Sequence, residues 1–170
     1  KSTHEHAKLP GTKLNESIKF TKEISETAEN DYVLIAVPSI YVRATARQVK
    51  PYIHGQIIID VAKGIEDDTL LTMSEVISQE LGIEKGPQAE TPTQATAQTR
   101  TAAPAGIVTL SGPTHAEEVA VNMPTTIVAA SANPEVAEKT VKLFEGTCIR
   151  VYTNTDIKGV EICGALKNVI

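Results

Sequence analysis

Apolar positions along the chain fall into two alternating patterns, short continuous runs and runs spaced three or four residues apart. Tyr32-Val33-Leu34-Ile35-Ala36-Val37 is a continuous run stopped by Pro38, the pattern of a strand buried on both faces, and Ser39 is placed to cap the next helix. Val42, Ala46 and Val49 recur at helical spacing up to Pro51, and Ile57-Ile58-Ile59-Asp60-Val61-Ala62 reads as a second buried strand. Strand, helix and parallel strand make one βαβ unit. Leu70, Met73, Ile77 and Leu81 share a helix face that ends at Gly82. Ile107-Val108-Thr109-Leu110 is a third strand leading into Ser111-Gly112-Pro113-Thr114, and Thr114 with Glu117 has capping-box spacing for a helix through Val119. Thr125 to Ala130 reads as a fourth strand. Asn133-Pro134 then starts a helix that Val136, Thr140, Val141 and Phe144 carry to Gly146. Cys148-Ile149-Arg150-Val151-Tyr152 is the fifth strand, and Asn154-Thr155-Asp156 opens the last helix. This alternation predicts an α/β fold with an open, largely parallel sheet and flanking helices.

Two segments lack the pattern. The first 30 residues are polar with a turn at Leu9-Pro10-Gly11, and their His4 and His6 have no cysteine or carboxylate completing a ligand set, so no metal is expected. Residues 85–106 are mostly Ala, Thr, Gln and Pro without periodicity, which predicts a flexible surface insertion, since that composition buries too little apolar area to offset its ordering entropy.

Composition narrows the class. With 170 residues, 41% hydrophobic but only 4% aromatic and without Trp, the core must be built from Val, Ile, Leu and Ala, the diet of a buried parallel sheet. A net charge of -5 without a long basic run argues against nucleic acid as a partner. No apolar run approaches the ~20 residues of a membrane span. Cys148 and Cys163 lack close paired spacing and read as core residues in a reducing, cytoplasmic compartment.

Candidate chemistry gathers at the strand ends, where ligands bind in open α/β sheets. Pro38-Ser39, Lys63-Gly64 and Ser111-Gly112-Pro113-Thr114 each come directly after a strand. Lysine offers a point charge for phosphate, glycine allows close backbone approach, and a helix start at Thr114 would present free amides to an anion. Taken singly, Lys63 also fits a surface lysine and Thr114 a simple cap. The closing stretch Gly159-Val160-Glu161-Ile162-Cys163-Gly164-Ala165-Leu166-Lys167-Asn168 puts Lys167 on a helix face with Gly164 and Val160. Partial burial there would lower its pKa toward the range useful for proton transfer, although spacing alone better fits a lysine that snorkels to solvent. No G-x-G-x-x-G occurs anywhere in the chain.

The blocks Val33 to Ser39, Ala62-Lys63-Gly64-Ile65-Glu66, Leu110 to Val119, Arg150-Val151-Tyr152-Thr153-Asn154-Thr155-Asp156 and Gly159 to Asn168 resemble, in order, bacterial NAD(P)-dependent glycerol-3-phosphate dehydrogenases. The resemblance implies an incomplete Rossmann-like NAD(P)-binding domain over 1–153, without the family's first strand and Gly-rich turn, and the start of a helical substrate domain over 154–170. It implies interconversion of dihydroxyacetone phosphate and sn-glycerol 3-phosphate with NAD or NADP, supplying glycerophospholipid synthesis, in an enzyme for which a homodimer is an open expectation. Lys167 would be the catalytic acid or base, with Asn168 beside it. Lys63, Gly112 and Thr114 would meet substrate, and Lys63, Ala116, Tyr41 and Pro38 the cofactor. The 170-residue chain by itself is expected to be inactive. The residues alone also fit a catalytically inactive α/β binding module or another β-hydroxyacid-type dehydrogenase.

Overall fold

The computed structural model describes residues 11–83 and 105–167. The expected insertion at 85–106 lies outside them except for Ala105 and Gly106, as do His4, His6 and Asn168. In chain order the elements are β1 (Tyr32–Ile35), α1 (Val42–Val49), β2 (Ile57–Asp60), α2 (Met73–Leu81), β3 (Gly106–Ser111), α3 (Ala116–Ala120), β4 (Thr125–Ala130), α4 (Pro134–Lys142), β5 (Ile149–Asn154) and α5 (Ile157–Leu166). The strands form one sheet in the order β1-β2-β3-β4-β5. Neighbours pair in parallel except β3 and β4, which are antiparallel. The exception arises from the connection: the chain between β3 and β4 contains only the five-residue α3 and turns back, where a parallel partner would need a full crossover.

Side chains alternate across a strand, so the sheet sorts its residues by face. Val33, Ile35, Ile58 and Ile107 pack with Val42, Ala46 and Val49 of α1 and Met73, Val76 and Ile77 of α2. Ile57, Ile59, Val108, Leu110, Ile127 and Ala129 face the other way and pack with Val136 of α4. Burying one such aliphatic side chain is worth about 1.5–3 kcal/mol, so these two layers fix which way each strand is turned. Asp60, Thr109 and Ser111 continue the first face beyond its apolar part, toward α5.

Several local expectations are corrected. β1 is not buried on both faces: Leu34 is 57% exposed, because no described helix covers its side of this edge strand. Ser39 does not cap α1. It begins a 3-10 turn, Ser39–Tyr41, and α1 starts at Val42 without a side-chain cap. Leu70 lies outside α2 with a left-handed φ of 56° and is exposed. The helix starts instead behind Thr72, whose capping box with Glu75 fixes that end. Thr114 forms no capping box, since its amide turns back to the Gly112 carbonyl at 2.9 Å and α3 begins two residues later. Asn133 accepts the Glu135 amide and Asp156 the Gly159 amide, so the starts of α4 and α5 are capped as the sequence predicts. Cys148 lies just before β5, which runs on to Asn154.

Candidate functional site

The loops after β1, β2 and β3 lie side by side at one end of the sheet. β2 stops at Asp60 because its carboxylate accepts the Ala62 amide at 3.0 Å and turns the chain. The loop then returns through an isolated bridge between Ile65 and Thr72. Its outer part is clamped by Arg43 of α1, whose guanidinium donates Nε and Nη2 to the two oxygens of Glu66 at 2.7 and 2.6 Å. The same guanidinium reaches Gln79 at 2.8 Å, and also Glu80, on α2. A planar fork matched to a carboxylate is the geometry only arginine supplies. These bonds hold the Glu66 carboxyl far down, at about 2, chiefly through Arg43.

Inside this clamp the backbone comes very close. A Cβ on Gly64 would lie 2.7 Å from Ser39 Cβ, so the loops after β1 and β2 touch only because residue 64 is glycine. A Cβ on Gly112 would lie 2.7 Å from the Thr126 carbonyl oxygen. That same Gly112 offers its own carbonyl to Lys63 Nζ at 3.1 Å. α5 comes down on the group through Gly164, whose Cβ position is 2.7 Å from Ser111 Oγ and 3.9 Å from Lys63 Cγ.

Of the residues singled out from sequence, the structure gathers Lys63, Gly112 and the helix that ends in Lys167. Lys167 is the C-terminal boundary residue of α5 and is exposed, so the partial burial expected of it falls on Lys63 instead. Burial, and then the charge of Lys167, lower the Lys63 pKa. The Lys63 ammonium thus feels the nearby charge of Lys167, and no carboxylate among the described residues pairs with Lys63. Pro38 and Tyr41 are exposed at the end of β1, with Tyr41 56% and its neighbour Ile40 75% exposed. Thr114 and Ala116 line a separate shallow hollow with Thr12 and Val119.

Sequence reasoning passed over Asp60, Ser111 as the seat of Gly164, the Arg43–Glu66 clamp and Glu161. The available signals were a carboxylate at the end of an Ile-Ile-Ile run and a second charge in the stretch read for Lys167. Glu161 is buried and accepts the Ser74 amide at 2.7 Å and the Ser74 hydroxyl at 2.6 Å, tying α5 to the first turn of α2.

The family described as NAD-dependent glycerol-3-phosphate dehydrogenase N-terminus matches residues 1–90 and 82–137. The chain is 48% identical over 170 residues to a protein of Lactobacillus delbrueckii subsp. bulgaricus named glycerol-3-phosphate dehydrogenase [NAD(P)+] 2, covering 99% of this chain and 46% of that protein. It is 42% identical over 173 residues to the glycerol-3-phosphate dehydrogenase [NAD(P)+] of Agathobacter rectalis, covering 100% of this chain and 45% of the relative. The chain therefore spans about half the length of the curated relatives it matches. The crystal structure of glycerol-3-phosphate dehydrogenase from Coxiella burnetii superposes with a TM-score of 0.76 at 29% identity, over 95% of this chain and 43% of that one. Among the described residues no helix is long and apolar enough to cross a membrane.

Proposed function

The chain belongs to the NAD-dependent glycerol-3-phosphate dehydrogenase family, and from that premise we propose that it forms part of an oxidoreductase interconverting dihydroxyacetone phosphate and sn-glycerol 3-phosphate. In this reading residues 1–153 belong to the NAD(P)-binding domain and 154–170 begin the substrate domain. The observation that carries it is the approach of two lysines, Lys63 in the loop after β2 and Lys167 at the end of α5. Lys63, partly buried, feels the charge of Lys167, and an anion seated between them relieves both the repulsion and the desolvation. A phosphorylated substrate with an oxygen that gains negative charge during reduction is such an anion.

The exposed Ile40 and Tyr41 beside Pro38, in the loop whose Ser39 meets Gly64 next to Lys63, suit the apolar ring and the phosphates of a nicotinamide nucleotide, so the residues present fit that part of the cofactor. When bound, NAD(P)H supplies the hydride. The chain's own residues handle the rest. Lys63 holds the anion, with the Gly112 carbonyl orienting its ammonium at 3.1 Å. Lys167, with Asn168 beside it, gives a proton to the substrate oxygen in reduction and takes it back in oxidation. Gly112 is read on the substrate side, with Thr114 tied to it through its amide, and Ala116, which shares the neighbouring hollow with Thr114, on the cofactor side. A homodimeric enzyme in the cytoplasm, feeding glycerophospholipid synthesis, is the setting this reading expects.

The test is steady-state kinetics on a full-length enzyme carrying this sequence. Lys167→Ala should lower kcat by roughly 10²–10⁴, the usual range for a positioned acid or base, and leave NADH titration unchanged. Near-normal kcat in that variant would remove Lys167 from the mechanism.

A further inference from the structure

The apolar run of β2 ends in a carboxyl group, that of Asp60, with 0% exposure. Its Oδ1 accepts the Ala62 amide, while its Oδ2 is buried without a hydrogen-bond partner among the described residues. The in-register neighbour on β3, Thr109, has a buried hydroxyl in the same condition. In-register side chains on adjacent strands share a face and stand about 4.8 Å apart. Buried polar atoms are nearly always satisfied, so two orphans side by side call for a reason.

Over this face lies α5, and its Glu161 is also buried, at 6% exposure. Its two bonds to Ser74 place a negative charge at the N-terminal turn of α2, where free amides and the helix dipole favour it. That charge reaches Asp60. Burial pushes the Asp60 acid up to about 7, against the pull of the Ala62 amide and with the help of Glu161. The other neighbours in register, Ile35 of β1 and Thr109 of β3, do not titrate, nor do Met73 and Ser74 in the first turn of α2, while Glu75 of that turn accepts the Thr72 amide at 3.0 Å and pairs with Lys158 of α5 at 3.4 Å. Lys63, three residues along the same loop, has its ammonium on the Gly112 carbonyl. A groove of about 460 Å³, bounded in part by Thr72, Ser74, Ser131, Lys158 and Glu161, brings solvent to this side of α5.

We propose that Glu161 is a positioning residue for Lys167 and that a proton on Asp60 sets its grip: α5 is fully seated while Asp60 is neutral and loosens as Asp60 ionises beneath Glu161. Two like charges in a buried site either share a proton or separate. The element free to separate is α5, which is held on this face by the Glu161–Ser74 bonds, the Lys158–Glu75 ion pair at its exposed start and the Gly164–Ser111 contact. Lys167 is six residues beyond Glu161, about 9 Å along the helix at 1.5 Å per residue, so a tilt at Glu161 is delivered to it. The consequence for catalysis rests on the reading of Lys167 given above, whereas the seating of α5 does not.

Hydrogen exchange on the 170-residue chain from pH 5 to 8.5, corrected for the intrinsic pH dependence of exchange, tests it with α1 amides as the internal reference. Protection of α5 amides should fall by at least about tenfold between pH 5 and 7.5 and level off above, because the seated state binds one proton more than the loosened one. Asp60→Asn keeps an acceptor for Ala62 and gives Thr109 a donor, so α5 should stay protected with a flat profile. Glu161→Ala should lose α5 protection at every pH, and Glu161→Gln, keeping bonds to Ser74 without the charge, should retain protection with a shallower profile. A flat wild-type profile overturns the proposal even if no variant folds, as does an Asp60→Asn profile that matches the wild type. Normal kcat in Lys167→Ala would instead remove only the role of Lys167, leaving the exchange result standing.

Discussion

Replacing Gly164 by alanine is expected to lift α5 from the sheet, and replacing Ser111 by alanine as well is expected to let it settle again. Two effects oppose each other in Gly164→Ala. Alanine is favoured over glycine within a helix by up to about 1 kcal/mol, and by less near the helix end. Against this, the new methyl would lie 2.7 Å from Ser111 Oγ. Either the hydroxyl leaves its rotamer or the helix shifts, and overpacking of this kind costs about 1–3 kcal/mol. The single variant should therefore lose up to about 2 kcal/mol. In Ser111→Ala/Gly164→Ala the hydroxyl is gone and the nearest atom of residue 111 is its Cβ at 3.8 Å, an ordinary contact. Only the helix-propensity gain then remains, so alanine at 164 should be neutral or stabilising in the Ser111→Ala background. The coupling between the two sites should be about 1–3 kcal/mol, read from urea unfolding of the four chains at equal m-values. A coupling below about 0.5 kcal/mol, with Gly164→Ala as well tolerated alone as with Ser111→Ala, would mean that α5 does not sit on β3 at this contact. The close approach inferred for the end of the helix that bears Lys167 would then be wrong.

Arg43→Lys should destabilise the chain almost as much as Arg43→Ala, by about 1–3 kcal/mol in urea unfolding, because an ammonium cannot make the two-pronged bond to Glu66. The Glu66 carboxyl sits at about 2 when folded and near 4.3 when unfolded. Its contribution is therefore complete above about pH 4.3 and is lost as pH falls through 2; thermal melts of Glu66→Gln should be less stable at pH 6 and flatter below pH 4.3 than wild type. In a full-length enzyme, Lys63→Ala should raise KM for dihydroxyacetone phosphate as well as lowering kcat, since a cation that holds the anion acts in ground and transition states alike; an unchanged KM would count against its place in the site. The 170-residue chain assayed alone for NADH oxidation should show negligible turnover, since it spans about half the length of the relatives it matches; turnover comparable to ordinary enzymes would refute this.

What the sequence by itself determined was whatever depends on neighbours along the chain. Continuous aliphatic runs located all five strands to within two residues at most ends, because a run such as Ile57-Ile58-Ile59 can be satisfied only between two packed layers. Asn133 and Asp156 marked helix starts correctly because a cap is a bond across two or three residues. The same locality explains the errors. Thr114 and Glu117 have the spacing of a capping box, but the Thr114 amide is taken by the Gly112 carbonyl, a choice set by how β3 meets β4. The antiparallel turn of β4 and the exposure of Leu34 likewise depend on which layers cover which face. At the site, sequence could place Lys63, Gly112 and Lys167 at the ends of elements. Only the tertiary structure decided that Gly164 rests on Ser111 beside Lys63, that Arg43 clamps Glu66, and that the buried Asp60 feels the charge of Glu161 on α5. Each of these joins residues far apart in the chain, and the desolvation and charge that shift a proton arise only when packing brings such groups out of water together.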